Sequence, residues 1–154
     1  MANIKETYLK LKEKYKLPEF SELDSDFHIS FIENDNFLLS QIIDRIIEKV
    51  DQFSGILEHI LQPDTSSLKD LQETGFFEDY EKKEIYSIFK ELVIINRSSI
   101  MLALEHDLKN EVEFISNSFE QWKSIKKKLS KHLIKLKELW LTENVNTEKV
   151  GYLG

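Results

Sequence analysis

The chain has 154 residues, a net charge of −7 and no cysteine. That length suits one domain with a sizeable core, and the missing thiols exclude disulfides, thiolate metal sites and a cysteine nucleophile. The negative balance argues against generic attraction to nucleic acid, and no apolar run approaches the length of a membrane span.

Hydrophobic residues make up 41% and charged residues 32%, a globular rather than a disordered composition. Four glycines and two prolines are too few for a sheet built from tight hairpins, so helices are expected. Met1-Ala2-Asn3-Ile4-Lys5 contains no apolar leader segment. With the lack of cysteine, this makes a cytoplasmic location the expectation.

In chain order, residues 3–16 predict a first helix with Ile4, Tyr8, Leu11 and Tyr15 on one side. Leu17-Pro18 ends it, since proline restricts its predecessor and cannot continue the ladder. In 19–34, Phe27, Ile29 and Phe31 alternate with polar residues, so a short extended or irregular strap is expected there. Asp35 is expected to cap the organising helix, which runs to Gln62. Its apolar positions Leu39, Ile43, Ile46, Val50, Phe53, Leu57 and Ile60 step alternately by four and three, the spacing of one helical face. Gly55 sits inside that helix at a cost of about 1 kcal/mol relative to Ala, which predicts a neighbour packed closely against it, with a bend in the helix as the alternative. The turn 62–67 offers Ser66 or Ser67 as N-cap of a short helix through Leu68 and Leu71, closed by Gly75. Phe76-Phe77 then plugs the core where the chain reverses.

A second long helix is predicted over 79–107, with the polar stretch Asn96-Arg97-Ser98-Ser99 at its centre. A third covers 108–140, and Ser118 with Gln121 has capping-box spacing that predicts a break or kink. Residues 141–154 lack helical periodicity and are expected to form a flexible tail. The fold class is therefore all-α: a single bundle of four to six helices over residues 1–140, with the short strap near its N-terminus.

No catalytic, cofactor or metal constellation stands out. The histidines lack Glu-x-x-His or His-x-x-x-His spacing, which would set two ligands on one helical face. Glu58-His59 and Glu105-His106 are adjacent pairs whose side chains diverge, so the histidines are read as surface or boundary residues. Asp44, Glu48 and Asp51 share a stripe that reads as the solvated side of its helix. No glycine cluster precedes a helix to cradle phosphate.

Two features remain as candidate partner-binding sites. Arg97 lies on the side of Val93, Ile94, Ile100 and Met101, where an arginine among apolar residues suits an interface anchor; a polar outer face, or an arginine paired with an acid of a neighbouring helix, is the plainer reading. Lys123, Lys126, Lys127, Lys128, Lys131 and Lys135, with Lys137, surround an apolar stripe in a stretch without acids. This basic helix is expected to be solvated and to face the acidic segment 19–35; a negatively charged partner is the alternative.

The order of Leu17-Pro18-Glu19-Phe20, Phe37-Leu38-Leu39, Arg45-Ile46-Ile47-Glu48-Lys49, Leu61-Gln62-Pro63-Asp64-Thr65-Ser66-Ser67-Leu68, Phe76-Phe77 and a lysine-rich helix ending at Trp140 resembles a family of small all-helical archaeal proteins of unassigned function. The resemblance spans about residues 15–140 and implies a cytoplasmic archaeal protein with an interaction role, without supplying an active site. The expected function is a non-catalytic helical interaction module without a cofactor. Its partner is expected to be another protein or a second copy of the chain, with nucleic-acid association through 123–137 as the alternative.

Overall fold

Asn3 opens the first helix, α1 (Ile4–Lys14), by accepting the Glu6 N–H on its side-chain oxygen at 3.0 Å. Glu6 in the first turn and Lys12 and Lys14 in the last complement the helix dipole. Ile4 and Tyr8 are buried, and the Tyr8 hydroxyl donates to the Pro18 carbonyl at 2.6 Å. Burial, reinforced by the nearby Glu19 carboxylate, pushes the Tyr8 phenol well above its ordinary pKa.

The computed structural model describes residues 3–142. Among these it is an all-α bundle of six helices and no strand. The expected strap at 19–34 is mostly helical: α2 spans Phe20–Phe27, and a 3₁₀ turn follows over Ile29–Phe31. Phe20, Leu23 and Phe27 bury one face of α2 at helical spacing. His28 then takes a left-handed conformation, φ 54°, and ends the helix. The strand-like alternation at 27–31 therefore comes from a helix end and a tight turn whose apolar residues Phe27 and Ile29 both point inward. Phe27 meets Phe119 edge-on at 6.3 Å and tilts against Trp122 at 5.7 Å.

The organising helix, α3, runs over Leu38–Leu61. Asp35 lies outside it, and its carboxylate accepts the Thr7 hydroxyl at 2.7 Å, tying the approach to α3 back to α1. Leu38, Leu39, Ile42, Ile43, Ile46, Val50, Leu57 and Ile60 are buried along α3, so the four–three seam is the core face. Gly55 is not explained by close packing: a Cβ built there meets nothing within 4 Å.

Ser67 caps α4 (Leu68–Thr74) by accepting the Asp70 N–H, and Gly75 closes it. Phe77 is buried, while Phe76 is half-buried and meets Trp140 edge-on at 5.4 Å. The next helix, α5, spans Asp79–Leu104, and α6 runs unbroken over Leu108–Leu141. No break occurs at 116–118. The Ser118 hydroxyl donates to the Ile115 carbonyl within the helix, and that of Ser116 donates to Lys16 O at 2.6 Å. Side-chain bonds that leave the ladder intact account for the missing break. Of the tail expected at 141–154, Leu141 closes α6 and Thr142 N–H still reaches the Glu138 carbonyl; residues 143–154 lie outside the described residues.

The chain packs as two compact units. One comprises residues up to Asp51 with Val93–Lys123, the other Gln52–Leu92 with residues from Ser124 on. In the first, Tyr8, Leu23, Ile29, Ile42, Ile46, Ile95, Ile115 and Phe119 are fully or almost fully buried. In the second, Leu57, Ile60, Ile85, Ile88, Leu92 and Ile125 are.

The open space beside Gly55 leads to a stability expectation. Gly55→Ala should raise stability by up to ~1 kcal/mol by restricting the unfolded chain and improving helix propensity. A urea melt in which the variant's midpoint falls would contradict this account of the glycine.

Candidate functional site

The most unusual surface lies on the C-terminal half of α5, within the first unit. Ile95 points inward and is buried. On the opposite side, Ile94, Arg97, Ile100, Met101 and Leu104 fall within roughly a third of the helix circumference. Ile94 is 50% exposed, Ile100 52%, Met101 61% and Leu104 76%. Single exposed apolar residues are ordinary; here four stand on successive turns of one face.

The polar stretch 96–99 does not interrupt the helix, because its side chains bond locally. The Ser98 hydroxyl donates to Ile94 O at 2.9 Å and that of Ser99 to Asn96 O at 2.6 Å. The Asn96 amide donates to Asp51 at 2.8 Å, and Arg97 Nη1 donates to Asn96 Oδ1 at 2.7 Å. Arg97 is exposed, and no carboxylate pairs with it among the described residues. Beside this row a groove of about 320 Å³ opens between α5 and α6, lined by Ser98, Met101, Glu105, Glu113, Asn117 and Gln121 among others. Met101 is the member of the row that lines this groove, which also carries the carboxylates of Glu105 and Glu113.

The lysines of α6 have a different setting. Lys123 is held by Glu120 at 2.9 Å and lies over the Phe119 ring. That hydrogen bond raises the Lys123 pKa, with Glu22 adding a smaller contribution. In the second unit, Lys128 pairs with Glu91 at 3.3 Å, Lys131 with Glu84 at 3.4 Å, and Lys135 with Glu81. Of the expected acidic counterpart at 19–35, Glu22 acts on Lys123 through its charge, whereas Lys128, Lys131 and Lys135 meet acids of α5. Lys126 and Lys127 are exposed, and Lys126 also has a partner. Residues on α6 one turn apart follow an acidic row on α5, a match that requires the two helices to be placed in three dimensions.

Three polar clusters escaped sequence reasoning. Ser40 donates to the buried Glu111, and His106 Nε2 lies 3.3 Å from Ser40 Oγ and 3.4 Å from Glu111. This is no nucleophilic relay. The carboxylate and the hydroxyl meet the same imidazole nitrogen, whereas a relay needs the acid on the other one. His59 Nδ1 lies 2.6 Å from Asp70, a buried carboxylate that also accepts the Asp64 N–H at 3.1 Å. That backbone bond, with His59 and Lys69 nearby, holds the Asp70 carboxyl below the usual carboxylate range against some desolvation. The pair staples the α3–α4 turn. No signal in the sequence links these residues except proximity across a short turn.

The third cluster centres on His132, which is buried, contrary to the expectation that every histidine sits at the surface or boundary. Its Nε2 lies 3.3 Å from Glu84, and its ring meets Phe77 edge-on. Burial pushes the imidazole pKa down, with Glu84 and Glu81 opposing and Lys131 and Lys135 assisting. Glu81 is buried as well. Burial raises its pKa, but the Glu78 N–H, Lys135 and His132 outweigh that and hold it below its ordinary value. Among the described residues, no group of three metal-ligating side chains converges, and no helix is long and apolar enough to cross a membrane. Asp44, Glu48 and Asp51 are exposed, as their stripe implied.

Against protein-family models, curated proteins and solved structures, the chain finds no match.

These groups, buried apart from Asp64, set a pH dependence. His132 binds its proton less readily when folded, so stability is lost as pH falls below the unfolded imidazole pKa of about 6.5. Asp64, Asp70 and Glu81 have depressed pKa values, so their contribution persists above the unfolded carboxylate range of about 4 and is lost below it. Urea midpoints should therefore fall in two stages on acidification, and His132→Phe should flatten the first. An unchanged slope between the two ranges in the variant would refute the role given to His132.

Proposed function

We propose that the chain is a non-catalytic helical interaction module that presents the C-terminal half of α5 to another protein surface. The observation that carries this is the exposed row Ile94, Ile100, Met101 and Leu104 around Arg97. Burying such side chains contributes about 1.5–3 kcal/mol each, and an arginine held among them supplies an anchor that hydrogen-bonds as it is desolvated. Nucleic-acid association through 123–137 has less support, because Lys123, Lys128, Lys131 and Lys135 are paired with glutamates of the same chain. An enzymatic role finds no relay in the Ser40, His106 and Glu111 cluster. The archaeal setting belongs to this proposal through the sequence resemblance alone, and the cytoplasmic one also through the lack of cysteine.

The test is capture of partners by the immobilised chain from a native-like lysate, with and without nuclease, followed by direct titration of whatever protein is recovered. Met101→Asp with Leu104→Asp should weaken binding more than tenfold, from about 2 kcal/mol or more of lost burial. Charge reversal at Lys126, Lys127 and Lys128 should leave it intact. Binding that needs nucleic acid and disappears with the lysine reversal, while tolerating the α5 variant, would replace this function with the nucleic-acid one.

A further inference from the structure

The α5 surface carries its own counter-charges, and their placement is symmetric. Arg97 stands four residues before Met101, and Glu105 stands four residues after it. The backbone bond from Glu105 N–H to Met101 O, 3.2 Å, extends the helical turn to that residue. No carboxylate pairs with Arg97 among the described residues, and no cation pairs with Glu105 or with Glu113 across the groove. A two-fold contact is self-complementary: if residue i of one copy meets residue j of the other, j also meets i. Setting two α5 helices antiparallel about Met101 satisfies that rule, since it places each Arg97 opposite the other copy's Glu105. The same alignment brings Leu104, the most exposed apolar residue of the row, opposite Ser98 at the groove.

We infer that the chain self-associates as a two-fold antiparallel dimer through α5, with Met101 at the axis and Arg97 of each copy seated at the Glu105 and Glu113 mouth of the other's groove. This deepens the interaction function proposed above and rests on the same face. Charge complementarity selects a second copy over a partner of other origin: the face offers one arginine and one carboxylate, Glu105, four residues to either side of Met101. The apolar row supplies the burial, and the two ion pairs fix the antiparallel register. With a net charge of −7 on each chain, long-range repulsion opposes association, so the dimer should be weak and dependent on the local pairs.

The experiment is sedimentation equilibrium of the full chain over a range of concentrations, with circular dichroism confirming that each variant is folded. Wild type should approach twice the 18.3 kDa chain mass as concentration rises. Arg97→Glu and Glu105→Arg should each weaken dimerisation roughly tenfold or more, because each puts like charges opposite one another twice. The combined charge swap should restore it. A chain monomeric throughout, or a dimer indifferent to both reversals, overturns the proposal; so does a double variant no better than the singles. If the wild type is monomeric while a lysate protein still binds in a manner lost with Met101→Asp, the interaction function stands and self-association alone fails. If neither contact depends on Met101, both fail.

Discussion

Keeping water off the apolar face of α3 is the constraint from which most of the structure follows. From Leu38 to Ile60 this helix buries side chains on nearly every turn, and a lone helix with such a face cannot persist in water. In the first unit the aromatic residues Tyr8, Phe20, Phe27, Phe119 and Trp122 are buried as well, with Tyr8 against Phe20 and Phe27 against Trp122. In the second, so is the aliphatic row Ile85, Ile88 and Leu92 of α5 and Ile125 and Leu129 of α6. Short helices α1, α2 and α4 gain their stability from docking as much as from their own propensities, with Asn3 and Ser67 satisfying backbone donors that would otherwise be left open.

Charge is arranged around this core so that several lysines of α6 meet glutamates of the same chain. Glu81, Glu84 and Glu91 of α5 meet Lys135, Lys131 and Lys128 of α6. Most such pairs are exposed and contribute modestly. Glu81 is the exception: it is buried, and its carboxylate also accepts the Glu78 N–H that opens α5. Their functional consequence is larger than their energetic one, because a lysine already engaged by a carboxylate is a poorer phosphate ligand. At the other end of α5, Arg97 and Glu105, with Glu113 of α6 across the groove, have no charged partner among the described residues.

Polar residues inside long helices were the least legible feature. Ser98, Ser99 and Ser118 all satisfy their hydroxyls on carbonyls of their own helices, so they neither break the helix nor require a buried partner. A serine at helical spacing from a glutamine looks the same whether it caps a new helix or bonds back to an old one. The same ambiguity affected residues 27–31. Alternating apolar residues can line a strand, but a left-handed residue at a helix end also brings alternate side chains inward, and His28 does so.

The sequence by itself determined the all-α class, the core seam of α3, the turn after Gln62 with Ser66 or Ser67 as cap and Gly75 as stop, and the stretch where α5 turns polar. These are properties of local periodicity and turn chemistry, which operate over one to three helical turns. Only the tertiary structure decided which lysines meet which glutamates, why Gly55 has no crowding neighbour, and that His132 is buried while His59 and His106 are exposed. It also decided that Ile94, Ile100, Met101 and Leu104 form an uncovered row while equally apolar residues on the same helix are core. Helical periodicity shows that a face is apolar; whether another helix covers it depends on packing between segments far apart in the chain.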